Sequence, residues 1–120
     1  LDGLLNEGYD FVYIHVEAPD EMGHQGSYER KVKAIENIDE YIIGPLSKAL
    51  DENNIAYRML VLPDHPTPVR LRTHTGNSVP YLLYDSQEAV NNAYAYTEEE
   101  AAKSGITLNE GHKLIDRLLQ

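Results

Sequence analysis

The sequence has 120 residues, 42% of them hydrophobic, with one Phe, no Trp and no Cys, a length and composition that bury one domain's core, so one compact unit is expected. Without cysteine there are neither disulfides nor thiolate metal sites, so nothing points to secretion and any metal must be held by nitrogen and oxygen. Twenty acidic against ten basic residues give a net charge of −10, which argues against nucleic acid or an anionic membrane as partner; no apolar run approaches the roughly 20 residues of a membrane span and no signal peptide heads the chain, so a cytoplasmic location is expected.

Leu1 to Gly8 lacks a start methionine and reads as the tail of a helix ended by Gly8, as if cut from something longer. Tyr9-Asp10-Phe11-Val12-Tyr13-Ile14-His15-Val16 follows, aromatic and β-branched, and reads as a buried strand. Just past its C-terminal end, where open α/β sheets bind ligands, lies Ala18-Pro19-Asp20-Glu21-Met22-Gly23-His24. A spacing of four places Asp20 and His24 on one face if this loop makes a helical turn, and a carboxylate with an imidazole is half a site for zinc or manganese. The blander reading has Asp20 capping the coming helix and His24 at the surface. His15 serves equally as a core histidine or as a neighbour of the site, and Glu17 is a polar strand end or a rim contact.

Ser27 to about Asn53 carries Val32, Ile35, Ile38, Ile42 and Leu46 at helical period, with Ser27 able to cap. Gly44-Pro45 should divide it, giving one element to about Ile43 and a second over Leu46 to Leu50. After the polar turn Asp51-Glu52-Asn53-Asn54, Ile55 to Leu62 is a second strand, so β-α-β order implies a parallel pair with a right-handed crossover. That strand runs into Pro63-Asp64-His65-Pro66-Thr67-Pro68, stiffened by three prolines, and then Arg72-Thr73-His74-Thr75-Gly76. Parallel polarity would put both clusters on one sheet edge. Asp20, His24, Asp64, His65 and His74 together offer two carboxylates and three imidazoles, enough protein ligands for most of two metal ions. Arg70 and Arg72 lie between the ligand loops, where a guanidinium suits phosphate and is also ordinary surface.

Ser78 to Tyr84, with Pro80 near its start, reads as a short edge strand. Tyr94 and Tyr96 flank Ala95 in a loop. Thr97 is a good N-cap with Glu100 at the third helical position. Asn109 should cap a last helix containing Leu114, Ile115, Leu118 and Leu119, with His112 structural or exposed in its first turn.

Taken together, His15-Val16-Glu17-Ala18-Pro19-Asp20-Glu21-Met22-Gly23-His24, Leu62-Pro63-Asp64-His65-Pro66-Thr67-Pro68 and Thr73-His74-Thr75 resemble the cofactor-independent phosphoglycerate mutases of the archaeal type, members of the alkaline phosphatase superfamily. The resemblance covers nearly the whole chain and departs from the usual pattern at Gly76-Asn77-Ser78. It implies an α/β fold, part of an alkaline-phosphatase-like αβα sandwich with a mostly parallel sheet, of which residues 1–120 form the C-terminal part of the metal-binding catalytic domain. It implies two divalent ions, with Asp20, His24 and His74 on one and Asp64 and His65 on the other, and it leans to Mn²⁺; the donor set itself suits Mn²⁺ or Zn²⁺, with Mg²⁺ a weaker candidate, and of the two arginines Arg72 is the one expected toward substrate. No catalytic nucleophile is expected here; the phosphoryl-accepting Ser would lie upstream. The implied reaction interconverts 2- and 3-phosphoglycerate. A related phosphatase or phosphotransferase on another small phosphorylated metabolite, or a non-catalytic metal-binding module, remains open. The implied partner is an N-terminal half or another copy of the chain.

Overall fold

A computed structural model describes residues 1–88 and 95–120, which leaves Tyr94 outside the described residues. The chain divides into two units: Leu1–Ile55 with Thr67–Thr75, and Ala56–Pro66 with Gly76–Gln120.

The first unit is helical. A short α1 (Asp2–Leu5) precedes Gly8, whose φ of 74° suits a glycine after a helix end. α2 (Ala18–His24) has Pro19 as its second residue and Asp20 and Glu21 in its first turn, a proline and two acids where a helix start favours them. It closes with paired bonds from Gly26 N–H to Gly23 O and Ser27 N–H to Met22 O, while Gly26 takes φ 70°. This Schellman closure makes the corner into α3 (Tyr28–Ile38), where the Ser27 hydroxyl accepts the Arg30 N–H as expected.

Gly44-Pro45 acts one turn earlier than the sequence suggests. A single π-helical turn spans Asp39–Ile43, with Gly44 N–H bonding Asp39 O, and α4 (Gly44–Glu52) then begins with Pro45 in its first turn. Because proline lacks the N–H that would continue the ladder, the register slips one residue ahead of it and the ring enters where no donor is needed. α4 closes through Asn54, at φ 55°, by bonds from Asn54 N–H to Asp51 O and from Ile55 N–H to Leu50 O. Leu50, 2% exposed, is the deepest side chain of this unit. Of the expected apolar stripe, Ile38, Ile42 and Leu46 are half-buried, whereas Val32 and Ile35 are exposed.

Residues 9–16 correct the sequence reading. They form no strand, and every one of them is exposed. Strand propensity alone cannot hold an extended run: its N–H and C=O groups need a neighbouring ladder, and the first unit contains no strand among the described residues to supply one. The parallel β-α-β pair is therefore absent here. The described sheet is a single antiparallel pair in the second unit, β1 (Arg58–Val61) with β2 (Leu82–Asp85), in register Arg58 to Asp85 and Val61 to Leu82. Both strands are shorter than the runs 55–62 and 78–84 that sequence suggests.

Arg58 Nε donates to Asp85 Oδ2 across that pair at 2.8 Å, and this bond, with a second from the Gln87 N–H, holds the Asp85 carboxyl below its usual range. Tyr57 and Ser86 extend the ladder through bonds of 2.9 and 3.0 Å. The Tyr96 hydroxyl faces the carbonyls of Val61 at 3.3 Å and Pro80 at 3.1 Å, tying the end of β1 to the approach to β2. α5 (Glu98–Lys103) is capped by Thr97, which accepts the Glu100 N–H. A 3₁₀ turn over Gly111–Lys113 leads into α6 (Leu114–Leu119), whose Leu114 is 5% exposed. The expected Asn109 cap is not formed, because helical structure begins only after Glu110 and leaves Asn109 too far from the first free amides. His112 is exposed in the 3₁₀ turn. Among the described residues no helix is long and apolar enough to cross a membrane.

Two measurements test these local devices. At position 54, Asn→Ala should cost about 1 kcal/mol in urea unfolding, whereas Asn→Gly should be neutral or stabilising, since only the left-handed backbone is at stake. Burial, aided by the nearby Glu98 charge, pushes the Tyr96 phenol up to about 12. The unfolded phenol ionises from about pH 10, so ionisation favours unfolding between about pH 10 and 12. Tyr96→Phe should lose about 1 kcal/mol at neutral pH, and its deficit against the wild type should shrink across that window.

Candidate metal centre

α2 brings Asp20 and His24 one turn apart on one face, with His24 Nε2 3.3 Å from Asp20 Oδ2. The helix, rather than a sheet edge, makes this pairing. The third group arrives on residues 67–75. Thr67, 3% exposed, lies against α2 at Gly23, where a Cβ would stand 2.5 Å from the Thr67 carbonyl oxygen. A turn follows, with the N–H groups of Leu71 and Arg72 both donating to Pro68 O. Arg72 takes a left-handed φ of 54°, an uncommon state for a side-chain-bearing residue, and this turns its carbonyl toward His24 Nδ1 at 3.0 Å. Two residues on, His74 Nε2 lies 3.1 Å from His24 Nε2 and 3.1 Å from Asp20 Oδ1.

Hydrogen-bond chemistry fixes one tautomer. A carbonyl only accepts, so His24 must carry a proton on Nδ1 to bond Arg72 O; in the neutral ring this puts the lone pair on Nε2, the atom that faces His74 and Asp20. An imidazole oriented by a backbone carbonyl through its far nitrogen is the usual arrangement of a metal-ligating histidine. The donor spacings fit as well. Metal–ligand bonds of about 2.0–2.1 Å in a tetrahedral shell put ligand atoms roughly 3.3–3.4 Å apart; pair by pair, His74 Nε2 is 3.1 Å from His24 Nε2 and from Asp20 Oδ1, and His24 Nε2 is 3.3 Å from the other carboxylate oxygen, Oδ2. Side-chain exposures of 35% for Asp20, 43% for His24 and 51% for His74 leave solvent access to the trio.

Asp20, His24 and His74 thus come together within the first unit. Asp64 and His65 belong to the second, in the proline-framed loop just past β1. There Asp64 accepts the His65 N–H through Oδ1 at 3.0 Å, and its Oδ2 is 3.3 Å from His65 Nε2. Arg72, the sequence candidate for phosphate recognition, contributes its backbone carbonyl to His24 and lays its guanidinium over the α2–α3 corner, where a Cβ on Gly26 would collide with Nε. Arg70 is exposed, and His15 and Glu17 face each other at 3.7 Å, both exposed.

Sequence reasoning missed Thr67, Gly23 and Lys31. The Thr67 hydroxyl donates to Asp20 Oδ1 at 2.5 Å, and its carbonyl accepts from Lys31 Nζ of α3 at 2.6 Å. The signal was present in a glycine inside the helix that carries Asp20 and a threonine held between two prolines.

Residues 1–114 match the Metalloenzyme superfamily, and the chain belongs to that family. Among curated relatives, it is 44% identical over 114 residues to a probable 2,3-bisphosphoglycerate-independent phosphoglycerate mutase of Geobacter sulfurreducens, covering 94% of this chain and 28% of the relative. It is 43% identical over 110 residues to the 2,3-bisphosphoglycerate-independent phosphoglycerate mutase of Methanothrix thermoacetophila, covering 92% and 28%. It is 42% identical over 117 residues to 2,3-bisphosphoglycerate-independent phosphoglycerate mutase 2 of Methanothermobacter thermautotrophicus, covering 98% and 28%. The chain therefore spans just over a quarter of the length of these relatives. No solved structure matches it.

The geometry predicts that neutral His24 is the Nδ1–H tautomer, readable from its ring ¹⁵N shifts. Arg72→Gly should leave that tautomer unchanged, because the accepting group is backbone and glycine adopts the same φ without strain. An Nε2–H signature in the wild type would refute this orientation.

Proposed function

We propose that this chain is the C-terminal, metal-bearing part of a catalytic domain that interconverts 2-phosphoglycerate and 3-phosphoglycerate by two-metal phosphoryl transfer. The observation that carries the reading is the convergence of Asp20, His24 and His74, each imidazole Nε2 within 3.3 Å of an Asp20 oxygen and the two Nε2 atoms 3.1 Å apart. The mutase names of relatives at 42–44% identity support the substrate class. Asp20, His24 and His74 hold one divalent ion, and Asp64 and His65 contribute to a second. A nitrogen-rich, thiolate-free donor set suits Mn²⁺ or Zn²⁺ better than Ca²⁺, and we favour Mn²⁺.

When bound, such ions supply Lewis-acid stabilisation of charge on the transferring phosphoryl group. The chain's own residues supply the orientation. His24 is aimed through Arg72 O, and Asp20 faces His24 and His74 with its two oxygens. Arg72 and Arg70 remain the candidate cations for phosphate. The nucleophilic serine lies outside these residues in this reading: the hydroxyls of Ser27, Ser86 and Ser104 are bonded to backbone in a helix cap, the sheet end and a helix end. Residues 9–16, exposed and strand-like, would enter a mostly parallel sheet completed by the rest of a longer cytoplasmic protein, consistent with relatives of which this chain spans 28%.

An assay with 2-phosphoglycerate and Mn²⁺ tests this. The 120-residue chain alone should give no turnover. A longer protein carrying it should be active, should lose activity on chelation, and should recover it with Mn²⁺ and not with Ca²⁺. In that protein Asp20→Ala and His74→Ala should each reduce kcat/KM by about 100-fold or more. Release of inorganic phosphate without mutase turnover would point instead to a phosphatase.

A further inference from the structure

We infer that Thr67 is a positioning residue for Asp20, set in place by Gly23 and Lys31, and that its hydroxyl rather than its bulk tunes metal affinity. The inference rests on Asp20, His24 and His74 being a metal-binding trio. Thr67 is 3% exposed and spends its only hydroxyl proton on Asp20 Oδ1, the same oxygen that faces His74 Nε2. Left to itself, the carboxylate rotates about its last side-chain bond and presents either oxygen in any plane. A donor fixed by burial removes that freedom.

Thr67 in turn is fixed from two sides. Its carbonyl accepts from Lys31 Nζ of α3 at 2.6 Å, a charge-assisted bond. Against α2, the approach is so close that a Cβ on residue 23 would stand 2.5 Å from the Thr67 carbonyl oxygen and 2.9 Å from its Cγ2. Gly23 is thus the gap through which Thr67 reaches Asp20 one helical turn away. The set α3–Lys31, Thr67, Gly23–α2 makes a clamp whose output is the direction of one carboxylate.

The experiment is calorimetric titration of the full chain with MnCl₂ and, separately, ZnCl₂, with thermal melts of the metal-free variants alongside. Thr67→Val keeps shape and removes the donor, and should weaken binding about 10- to 100-fold, the usual effect of losing a group that orients a ligand. Thr67→Ser restores the donor and should bind within about threefold of wild type. Gly23→Ala should weaken binding to a similar extent, and the double variant Gly23→Ala with Thr67→Val should be little weaker than either alone, as one clamp broken twice. Asp20→Asn is the control for the underlying reading. If wild type binds, Asp20→Asn does not, and Thr67→Val binds like wild type, the clamp is refuted while the metal reading stands. Affinity lost equally in Thr67→Val and Thr67→Ser would refute the hydroxyl's role. If Asp20→Asn binds like wild type, or wild type binds neither ion, the metal reading fails and the clamp falls with it.

Discussion

The backbone of Thr67 lies so close to α2 that no side chain larger than hydrogen fits at position 23, and the candidate centre is built on that approach. Asp20 and His24 are arranged by helix geometry alone and would face the same way in any helix of this sequence. His74 lies fifty residues further along the chain than His24 and shares no element with it. Only the seating of residues 67–75 on α2 brings its Nε2 to 3.1 Å from both. Gly23 at the contact, Lys31 above it and the left-handed turn at Arg72 are the means by which that segment is held.

Two residues beside the centre hold backbone states that a side chain does not favour. Gly26 and Arg72 both have positive φ, and the Arg72 guanidinium occupies the space a side chain on Gly26 would need. The glycine ends α2 by a Schellman closure; the arginine aims a carbonyl at His24. Holding a non-glycine residue in the left-handed region costs on the order of 1–2 kcal/mol, and it persists where surrounding contacts over-determine it. Here those contacts include the paired bonds to Pro68 O and the packing of Thr67. Strain of this kind next to a ligand-like histidine is consistent with a backbone chosen to orient rather than to stabilise.

What could be read from the sequence was local. The caps at Ser27 and Thr97 and the interruption near Gly44-Pro45 follow from residue types within one turn of each other, and the spacing of Asp20 and His24 pairs them once 18–24, read as a loop, proves to be a helix. The failures are non-local. Residues 9–16 have strand composition, yet a strand exists only with a neighbour, and composition carries no information about whether one is present. Deducing a parallel pair from β-α-β order inherited that error. The prolines on either side of Thr67 mark it as held, but its role is set by the depth of its burial and by a glycine forty-four positions earlier, which its own neighbours do not reveal.

Charge gives the last constraint. A chain with net charge −10 is a poor host for a phosphorylated molecule unless positive charge is concentrated locally. The trio by itself does not provide it: with neutral imidazoles, Asp20 leaves it at one negative charge. A divalent cation held there reverses the sign to one positive, and a second beside Asp64 would do the same, without any change in the acidic surface. Arginine alone would be a weaker solution, since Arg72 and Arg70 are exposed and screened by solvent. The acidity of the sequence and its clustering of imidazoles with carboxylates are therefore complementary: the first requires a strong local cation for any phosphate chemistry, and the second has the donor spacing to hold one.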